Sequence, residues 1–215
     1  RVHGYQCEVD PSARAWSGGI YDEARRGWLY TLELNEAAKP AFRIGKWNHY
    51  RIECIGPDIR TWVNGIPAAW VIDDMTPGGF IALQVHAITS KEKEGQKIRW
   101  KNVRIRTKNL TPSPFTDIYV VNMLPNQLSD AEKQQGFRLL FDGKTTNGWI
   151  SAKGGDFPGH GWEVKEGNLV VLSSKEEKQR GGDIITTQKF RAFELRFDFN
   201  LSEVANSGVK YFTGN

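Results

Sequence analysis

Strict alternation of apolar and polar residues in short segments is the feature that most constrains how this chain folds. The clearest case is FELRFDFNL, residues 193–201, where every second residue is Phe or Leu. Because successive side chains point to opposite faces of a strand, this period of two predicts a strand with one buried face. The side chains predicted to point into the core are Phe193, Leu195, Phe197, Phe199 and Leu201.

Similar segments recur along both halves of the chain, separated by turn residues. Two hairpins are predicted, one turning at Asn64-Gly65 and one at Glu166-Gly167 within WEVKEGNLVVL (162–172). Many short strands at this spacing predict an all-β sandwich or barrel. The other predicted strands are YQCEVD (5–10), SGGIYD (17–22), WNHYRIECIG (47–56), IRTWV (59–63), IPAAWVID (66–73), GGFIALQVHA (78–87), IRWKNVRIR (98–106) and SGVKYFTG (207–214).

The connection between the two halves has a different composition. Residues 107–128 contain three prolines and no sustained period, which predicts a linker. Residues 129–135, SDAEKQQ, predict a short polar helix because Ser129 and Glu132 have the spacing of a capping box. We therefore expect a first half at 1–106, a connecting region at 107–135 and a second half at 136–215.

Charge and cysteine content limit the classes of partner. The net charge of +4 is spread along the chain, and its densest basic group, KNVRIRTK (101–108), alternates like a solvated strand face, so no nucleic-acid partner is expected. No apolar run approaches the roughly 18 residues of a membrane span. Cys7 and Cys54 fall within apolar alternation, which favours buried free thiols, with a disulfide as the alternative.

Specific motifs carry a family resemblance. The segments GFRLLFDGKTTNGW, GWEVKEGNLVV, GGDIITTQKFRAFELRFDFNLS and ANSGVKYF resemble the amino-terminal half of the 3-keto-disaccharide hydrolase domain family. The segments GYQCEVD, WSGGIYDEARRGWL, WNHYRIECIGPDIRTWVNG, GFIALQVH and IRWKNVRIR resemble its carboxy-terminal half. The resemblance implies an antiparallel two-sheet jelly-roll sandwich of the concanavalin A-like type, with the two halves in inverted order.

The inverted order has two explanations. The chain is either a permuted single domain or a segment running from one repeat of a tandem protein into the next. In both cases we expect the two halves to assemble into one sandwich, with Arg1 near Asn215 within one chain or between swapped chains. The resemblance also implies export to a bacterial periplasm or cell surface.

Polar residues on predicted open strand faces are the first candidates for a site. Gln6, Glu8 and Asp10 share one face of a strand, either as a solvent-facing edge or as the floor of a carbohydrate site with Glu8 as base or metal ligand. His86 lies beside Gln84 and is the best candidate for a catalytic histidine, since an ordinary pKa near 6.5 suits proton transfer at neutral pH.

Further candidates lie in loops and in the second half. Lys210 alternates with apolar residues, and it either holds a sugar oxygen in a cleft or is simply solvated. Asp183 follows a glycine pair, where turn chemistry alone would also explain it. The residues that we expect to contact a sugar are Gln6, Tyr21, Arg26, Gln84, Asp183 and Arg196.

The resemblance implies a substrate with a ketone at carbon 3. That ketone acidifies the proton on carbon 2, so a base can form an enolate that expels the aglycone. We expect His86 or Glu8 as the base, and Lys210, Gln6 or a divalent cation as the stabiliser of the enolate oxygen. No cofactor is evident, and ligand spacing reveals no metal site. GxSxG, P-loop, HExxH and Cys-x-x-Cys motifs are absent from the sequence, and no carboxylate pair stands out.

The alternative is a non-catalytic, lectin-like carbohydrate-binding module, since one fold serves many functions. Exposed Trp16, Trp28 or Trp70 would then supply stacking platforms for sugars. The two alternatives differ in whether Glu8, His86 and Lys210 converge in one pocket.

Overall fold

The computed structural model describes residues 2–86, 95, 97–172 and 178–213. It confirms an all-β sandwich class built from antiparallel sheets, with one short α-helix in the predicted connecting region. The chain divides into two compact units. Unit one comprises Arg1–Leu124 and Leu128–Phe137, and unit two comprises Pro125–Gln127 and Arg138–Asn215.

Unit one contains two sheets that share a core. The first sheet is antiparallel and consists of β1 (Gly4–Cys7), β2 (Ile20–Glu23) and β3 (Gly27–Tyr30). Two 3-10 helices, Leu32–Leu34 and Glu36–Ala41, follow it. The second sheet consists of β4 (Tyr50–Ile55), β5 (Asp58–Val63), β6 (Ile66–Ile72) and β7 (Val121–Asn122), in that order, with β7 parallel to β6.

The predicted hairpin at Asn64-Gly65 is confirmed. Asn64 and Gly65 have φ of 51° and 83°, the two positive values that a type I′ turn needs. The Asn64 side chain also accepts a hydrogen bond from the His49 backbone N–H and donates one to the Ala41 carbonyl. This turn therefore fixes the β5–β6 register and ties it to neighbouring loops.

Strand β6 is buried on both faces, which places it at the centre of unit one. Its Ala69 and Val71 pack in the main core with residues from the first sheet such as Ile20 and Tyr30. The intervening Trp70 and Ile72 face the other way and form a second cluster. The further members of that second cluster are Val120, Ala131, Ile118 and Leu124.

The predicted linker is partly wrong, because its residues complete unit one. Residues Val121–Asn122 form β7, and α1 (Asp130–Gln134) packs through Ala131 over the outer face of β6. The helix itself was predicted, and its capping box between Ser129 and Glu132 is present. Glu132 additionally accepts a hydrogen bond from the Asn122 side chain at 2.7 Å, which joins α1 to β7.

A buried arginine fastens the proline-containing part of the connection to the same sheet. The Arg60 guanidinium lies over the rings of Trp62 and Trp70, with centroid distances of 5.0 and 4.0 Å. It donates hydrogen bonds to the carbonyls of Ser113 and Pro114 at 2.8 and 2.9 Å. Glu53 on β4 accepts two further hydrogen bonds from Ser113, so side chains of two strands hold this segment without regular structure in place.

Unit two contains two two-stranded sheets. One pairs β8 (Trp149–Ser151) with β11 (Ile184–Thr186), and the other pairs β9 (Trp162–Lys165) with β10 (Asn168–Val171), all antiparallel. The predicted turn at Glu166-Gly167 is confirmed, with φ of 50° and 79°.

Four strand predictions are wrong at the level of hydrogen bonding. Residues 78–86, 97–106, 193–201 and 207–213 are described and contain no strand. Phe199, predicted to point into the core, is 74% exposed. A period of two shows which face of a segment is apolar, but a hydrogen-bonded ladder also needs a partner strand. Among the described residues, no strand pairs with these four segments. The predicted proximity of Arg1 and Asn215 lies outside the described residues.

Both cysteines are free thiols, so the disulfide alternative does not apply. Cys7 is partly buried, and burial raises the pKa of its thiol to about 12. Cys54 is exposed on β4, so the prediction of a buried thiol is wrong there. None of the described helices is long and apolar enough to cross a bilayer.

Candidate functional site

Three of the predicted site residues in unit one form a string of side-chain hydrogen bonds. The Gln6 Nε2 atom donates to Glu8 Oε2 at 2.9 Å. The Gln84 Nε2 atom donates to Gln6 Oε1 at 3.1 Å, although 78 positions separate the two residues in sequence. Gln6 and Glu8, predicted to share a face, are thus in direct contact, and Gln84 contacts Gln6.

Aromatic rings adjoin this string. Gln6 is directly opposite Tyr21 in the β1–β2 register, and directly opposite residues of an antiparallel pair project to the same face. Tyr21 makes an edge contact with Trp28 at 5.1 Å between ring centroids, and Trp28 makes another with Trp16 at 4.8 Å. A carboxylate, two amides and partly exposed rings are the groups that bind sugar hydroxyls and ring faces.

The backbone at Glu8 is fixed beyond the end of β1. Its N–H donates to the Gly19 carbonyl and its carbonyl accepts from the Gly18 N–H, both at 2.9 Å. Gly18 has φ of 92°, and a Cβ there would lie 2.6 Å from the Ala68 Cβ and 2.8 Å from the Val63 Cγ2. Only glycine fits this close approach of β1 and β2 to the second sheet.

An ion-pair network on the neighbouring hairpin anchors β1. Arg26 donates to the carboxylates of Asp22 and Asp73, both buried, and Asp73 also accepts from the Tyr5 hydroxyl at 2.6 Å. The hydrogen bond to Asp73 raises the pKa of Arg26. Burial alone would raise the pKa of Asp73, but hydrogen bonds from Arg26 and Tyr5 lower it.

This network changes the interpretation of one prediction. The stretch GGIYDEARRGW forms the β2–β3 hairpin, with Arg26 between the two strands. Arg26 was expected to contact the sugar, and its guanidinium is instead engaged by two buried carboxylates. Asp73 was missed altogether, because its partners Arg26 and Tyr5 lie 47 and 68 positions away and leave no local signal.

Asp10 does not belong to the polar face of Gln6 and Glu8, although it was predicted there. It is only 5% exposed and accepts hydrogen bonds from the Ser12 and Trp16 backbone and from Arg14. Burial alone would raise the pKa of Asp10, but these hydrogen bonds lower it to about 2. Asp10 therefore holds the loop that carries Trp16.

The remaining candidates lie at exposed positions. His86 is exposed, two residues beyond Gln84. In unit two, the Lys210 ammonium pairs with Asp183 at 2.6 Å, and Arg196 pairs with Glu194 at 2.7 Å. Lys210 belongs to a different unit from Glu8 and His86, so the convergence of these three residues stays a prediction.

Three tryptophans were predicted as exposed stacking platforms of a lectin-like module, and for Trp70 this prediction is wrong. Trp70 is buried, it contacts Phe115, and its Nε1 donates to Asp58 at 2.9 Å. Trp16 and Trp28 are partly buried beside the Gln6–Glu8 string, with the Arg14 guanidinium over both rings. Trp28 contacts Tyr21, the cross-strand neighbour of Gln6, so these two rings are connected to the polar string through Tyr21.

Unit two has a shallow depression of about 230 Å³. Arg138 forms one wall, where it donates to Gln188 and lies over the Phe190 ring at 5.1 Å. Ligand sites for drug-sized molecules usually measure about 300–1,000 Å³, so this depression is smaller than a typical site. None of the predicted site residues lines it.

Among the described residues, no three His, Cys, Asp or Glu side chains lie close enough together to hold a metal ion. The Glu8 carboxylate is hydrogen-bonded to the Gln6 amide. A divalent cation that stabilises the enolate oxygen stays a prediction.

Comparison with known proteins agrees with the motifs. A 3-keto-disaccharide hydrolase of Bacteroides thetaiotaomicron is 35% identical over 79 residues, which cover 35% of this chain and 27% of that protein. The chain thus aligns with about a quarter of that relative's length. The model of the 3-keto-alpha-glucoside-1,2-lyase-like domain matches residues 1–106 and 136–214, most of the chain on both sides of the connecting region. The chain belongs to the 3-keto-alpha-glucoside-1,2-lyase-like domain family.

Proposed function

We propose that this chain cleaves 3-keto-glycosides and that Glu8 is the base that removes the proton on carbon 2. The observation that carries this proposal is the Gln6–Glu8–Gln84 string beside the Tyr21 ring. Family membership and the name of the Bacteroides relative, a 3-keto-disaccharide hydrolase, support the substrate class.

The chemistry needs one base, one enolate stabiliser and one acid. The ketone at carbon 3 acidifies the proton on carbon 2, and the Glu8 carboxylate accepts that proton. The electrons of the broken C–H bond form the enolate and then a double bond between carbons 1 and 2. The C1–O bond breaks, the aglycone oxygen takes a proton from His86, and water later adds across the double bond to give net hydrolysis.

Gln6 has the position of a stabilising group. One of its two amide N–H donors is used by Glu8, and its carbonyl oxygen is held by Gln84. Within the described residues the second N–H has no protein partner, so it is available to the enolate oxygen. Lys210 is the second candidate for this role, with its charge at present balanced by Asp183.

Aglycone release from a 3-keto-glucoside and from the matching ordinary glucoside tests the proposal. We expect release from the 3-keto compound alone, because only its carbon 2 proton is acidic. Glu8→Gln is expected to lower kcat/KM about 100-fold or more, and His86→Ala about 10-fold or more. The matched controls are Glu33→Gln and His49→Ala, both at exposed positions away from the string, and both are expected to retain the parent rate.

Deuterium at carbon 2 separates proton abstraction from direct hydrolysis. A primary isotope effect on release is expected if removal of the carbon 2 proton limits the rate. Release from neither glycoside, or a Glu8→Gln variant as fast as its Glu33→Gln control, would overturn the proposal. Binding of both glycosides without release would instead make the chain a carbohydrate-binding module.

A further inference from the structure

Two segments with strand-like sequences present apolar side chains to solvent. The basic segment, residues 97–106, has Ile98, Trp100, Val103 and Ile105 exposed. The acidic segment, residues 193–201, has all five of its alternating Phe and Leu side chains exposed. Neither segment forms a ladder, although both are described throughout. Their exposed backbone and apolar faces make both of them templates for strand pairing.

A bulge at Asn102 would allow the basic segment to form a strand with all of its apolar side chains on one face. Its apolar residues change phase between Trp100 and Val103, which a regular strand would place on opposite faces. Asn102 lies at that change and has φ of 54°. An extra residue with left-handed φ is the geometry of a β-bulge, which returns the side chains on both sides of it to one face.

The exposed area is large enough to accommodate a partner. The whole chain exposes 16432 Å², whereas a compact chain of 24.4 kDa exposes about 10,000 Å², and two separately folded units of these sizes about 12,000 Å². The excess is therefore about 4,000 Å² per chain. Obligate dimers bury about 2,000–5,000 Å² in total, so an excess of this size is comparable with what a stable dimer buries.

Charge identifies the partner of each segment. The basic segment contains Lys97, Arg99, Lys101, Arg104 and Arg106 and no acidic residue. The polar face of the acidic segment has Glu194 and Asp198 against the single Arg196. Opposite charges on facing strands stabilise a pair, while like charges directly opposite destabilise it. The basic segment is thus better suited to the acidic segment than to a copy of itself.

We propose that a second copy of this chain completes the sheets, with the basic segment of each copy pairing with the acidic segment of the other. Every chain carries both segments, so two copies supply each other's missing strand. The contact is isologous, closes at two copies and leaves neither segment as an open edge. The pairing gives the exposed Phe and Leu side chains of the acidic segment an apolar partner surface.

Molar mass and exchange kinetics test this dimer directly. Light scattering after size-exclusion chromatography is expected to give twice the 24.4 kDa chain mass. Hydrogen exchange is expected to be slow in residues 97–106 and 193–201 at high protein concentration and fast after dilution. A monomer at tens of micromolar protein would overturn the proposal, whether its two segments are protected or not.

Charge reversal tests which segments pair. The double variant Glu194→Lys/Asp198→Lys is expected to raise the dimer dissociation constant about tenfold or more. Adding Arg99→Glu and Arg104→Glu is expected to restore most of the affinity. Asp156→Lys, the same charge reversal at a single exposed position elsewhere in unit two, is the control for each substitution. A dimer equally stable in all of these variants would place its interface elsewhere and overturn the pairing.

Circular dichroism keeps the charge-reversal result interpretable. All four substituted side chains are at least partly exposed and lie outside strands β1–β11, so each variant is expected to keep the parent spectrum as a monomer. The glycosidase assay separates this inference from the proposed function. A dimer without aglycone release contradicts the function alone, and a monomer with release contradicts the dimer alone.

Discussion

Asp10 shows how a single residue links burial, charge and the stability of unit one. Its pKa of about 2 lies below the ordinary 3.8, because the hydrogen bonds from Ser12, Arg14 and Trp16 outweigh the effect of burial. A lowered folded-state pKa means that the ionised form stabilises the fold, by about 2 kcal/mol above the unfolded pKa. That contribution is lost as the pH falls from about 4 to about 2.

We expect Asp10→Asn to lower the free energy of unfolding by about 2 kcal/mol at pH 7 and by little at pH 2, measured by urea denaturation.

Asp117→Asn is the control for this change, since Asp117 is exposed. It is expected to alter the free energy of unfolding by less than about 0.5 kcal/mol at both pH values. Equal losses for Asp10→Asn at pH 7 and pH 2 would show that the Asp10 charge is not what stabilises the loop.

The residues of the candidate site were predictable only where strand periodicity applies. Gln6 and Glu8 were found because both lie in the alternating segment, and the ladder bonds of Glu8 continue that geometry past Cys7. Asp10 was misplaced because the chain has left the strand by that point, so a period of two no longer sets its direction. Asp73 was missed because an ion pair between residues distant in sequence has no local pattern.

At the scale of elements, Arg60 couples the β5 strand to the connecting region. It is 3% exposed, lies between two indole rings and donates to carbonyls of residues 113 and 114. Lysine keeps the charge but has no planar fork, so Arg60→Lys is expected to lose at least one of these partly buried hydrogen bonds. We expect a loss of about 2 kcal/mol in the free energy of unfolding and faster proteolytic cleavage within residues 107–117.

Arg51→Lys is the matched control. Arg51 also lies over the Trp62 ring, at 4.2 Å, and contacts Glu53 and Ser113, but its side chain is 46% exposed. Exposed ion pairs contribute about 0–1 kcal/mol, so this variant is expected to stay close to the parent protein. An Arg60→Lys variant that resists protease as well as Arg51→Lys does would refute the role of Arg60 in holding the connection.

Elements were predictable where their signals are local. The two type I′ turns and the capping box each depend on residues within four positions of one another, and all three are present. The strand β7 was missed because two residues in a proline-containing segment carry no periodicity, and it forms only by pairing with β6. The strand predictions for residues 97–106 and 193–201 are wrong for the converse reason. Their periodicity is clear, but no strand among the described residues pairs with them.

At the scale of the whole molecule, the large accessible surface has a consequence for cooperativity. The urea m-value is proportional to the surface exposed on unfolding. An unfolded chain of 24.4 kDa exposes about 35,000 Å² of surface. The folded chain still exposes 16432 Å². Folding therefore buries about three quarters of the surface that a compact chain of the same mass would bury.

The m-value of the dilute chain is therefore expected to be about three quarters of that for compact proteins of equal length. At high protein concentration, burial of residues 97–106 and 193–201 against a second copy is expected to raise both the m-value and the urea midpoint, since association stabilises only the folded chain. The Glu194→Lys/Asp198→Lys variant is expected to need about tenfold more protein, or more than that, for the same rise in m-value and urea midpoint. Denaturation curves of the parent chain that superimpose between 0.5 and 50 micromolar, at about the same m-value, would show that the exposed segments remain unpaired.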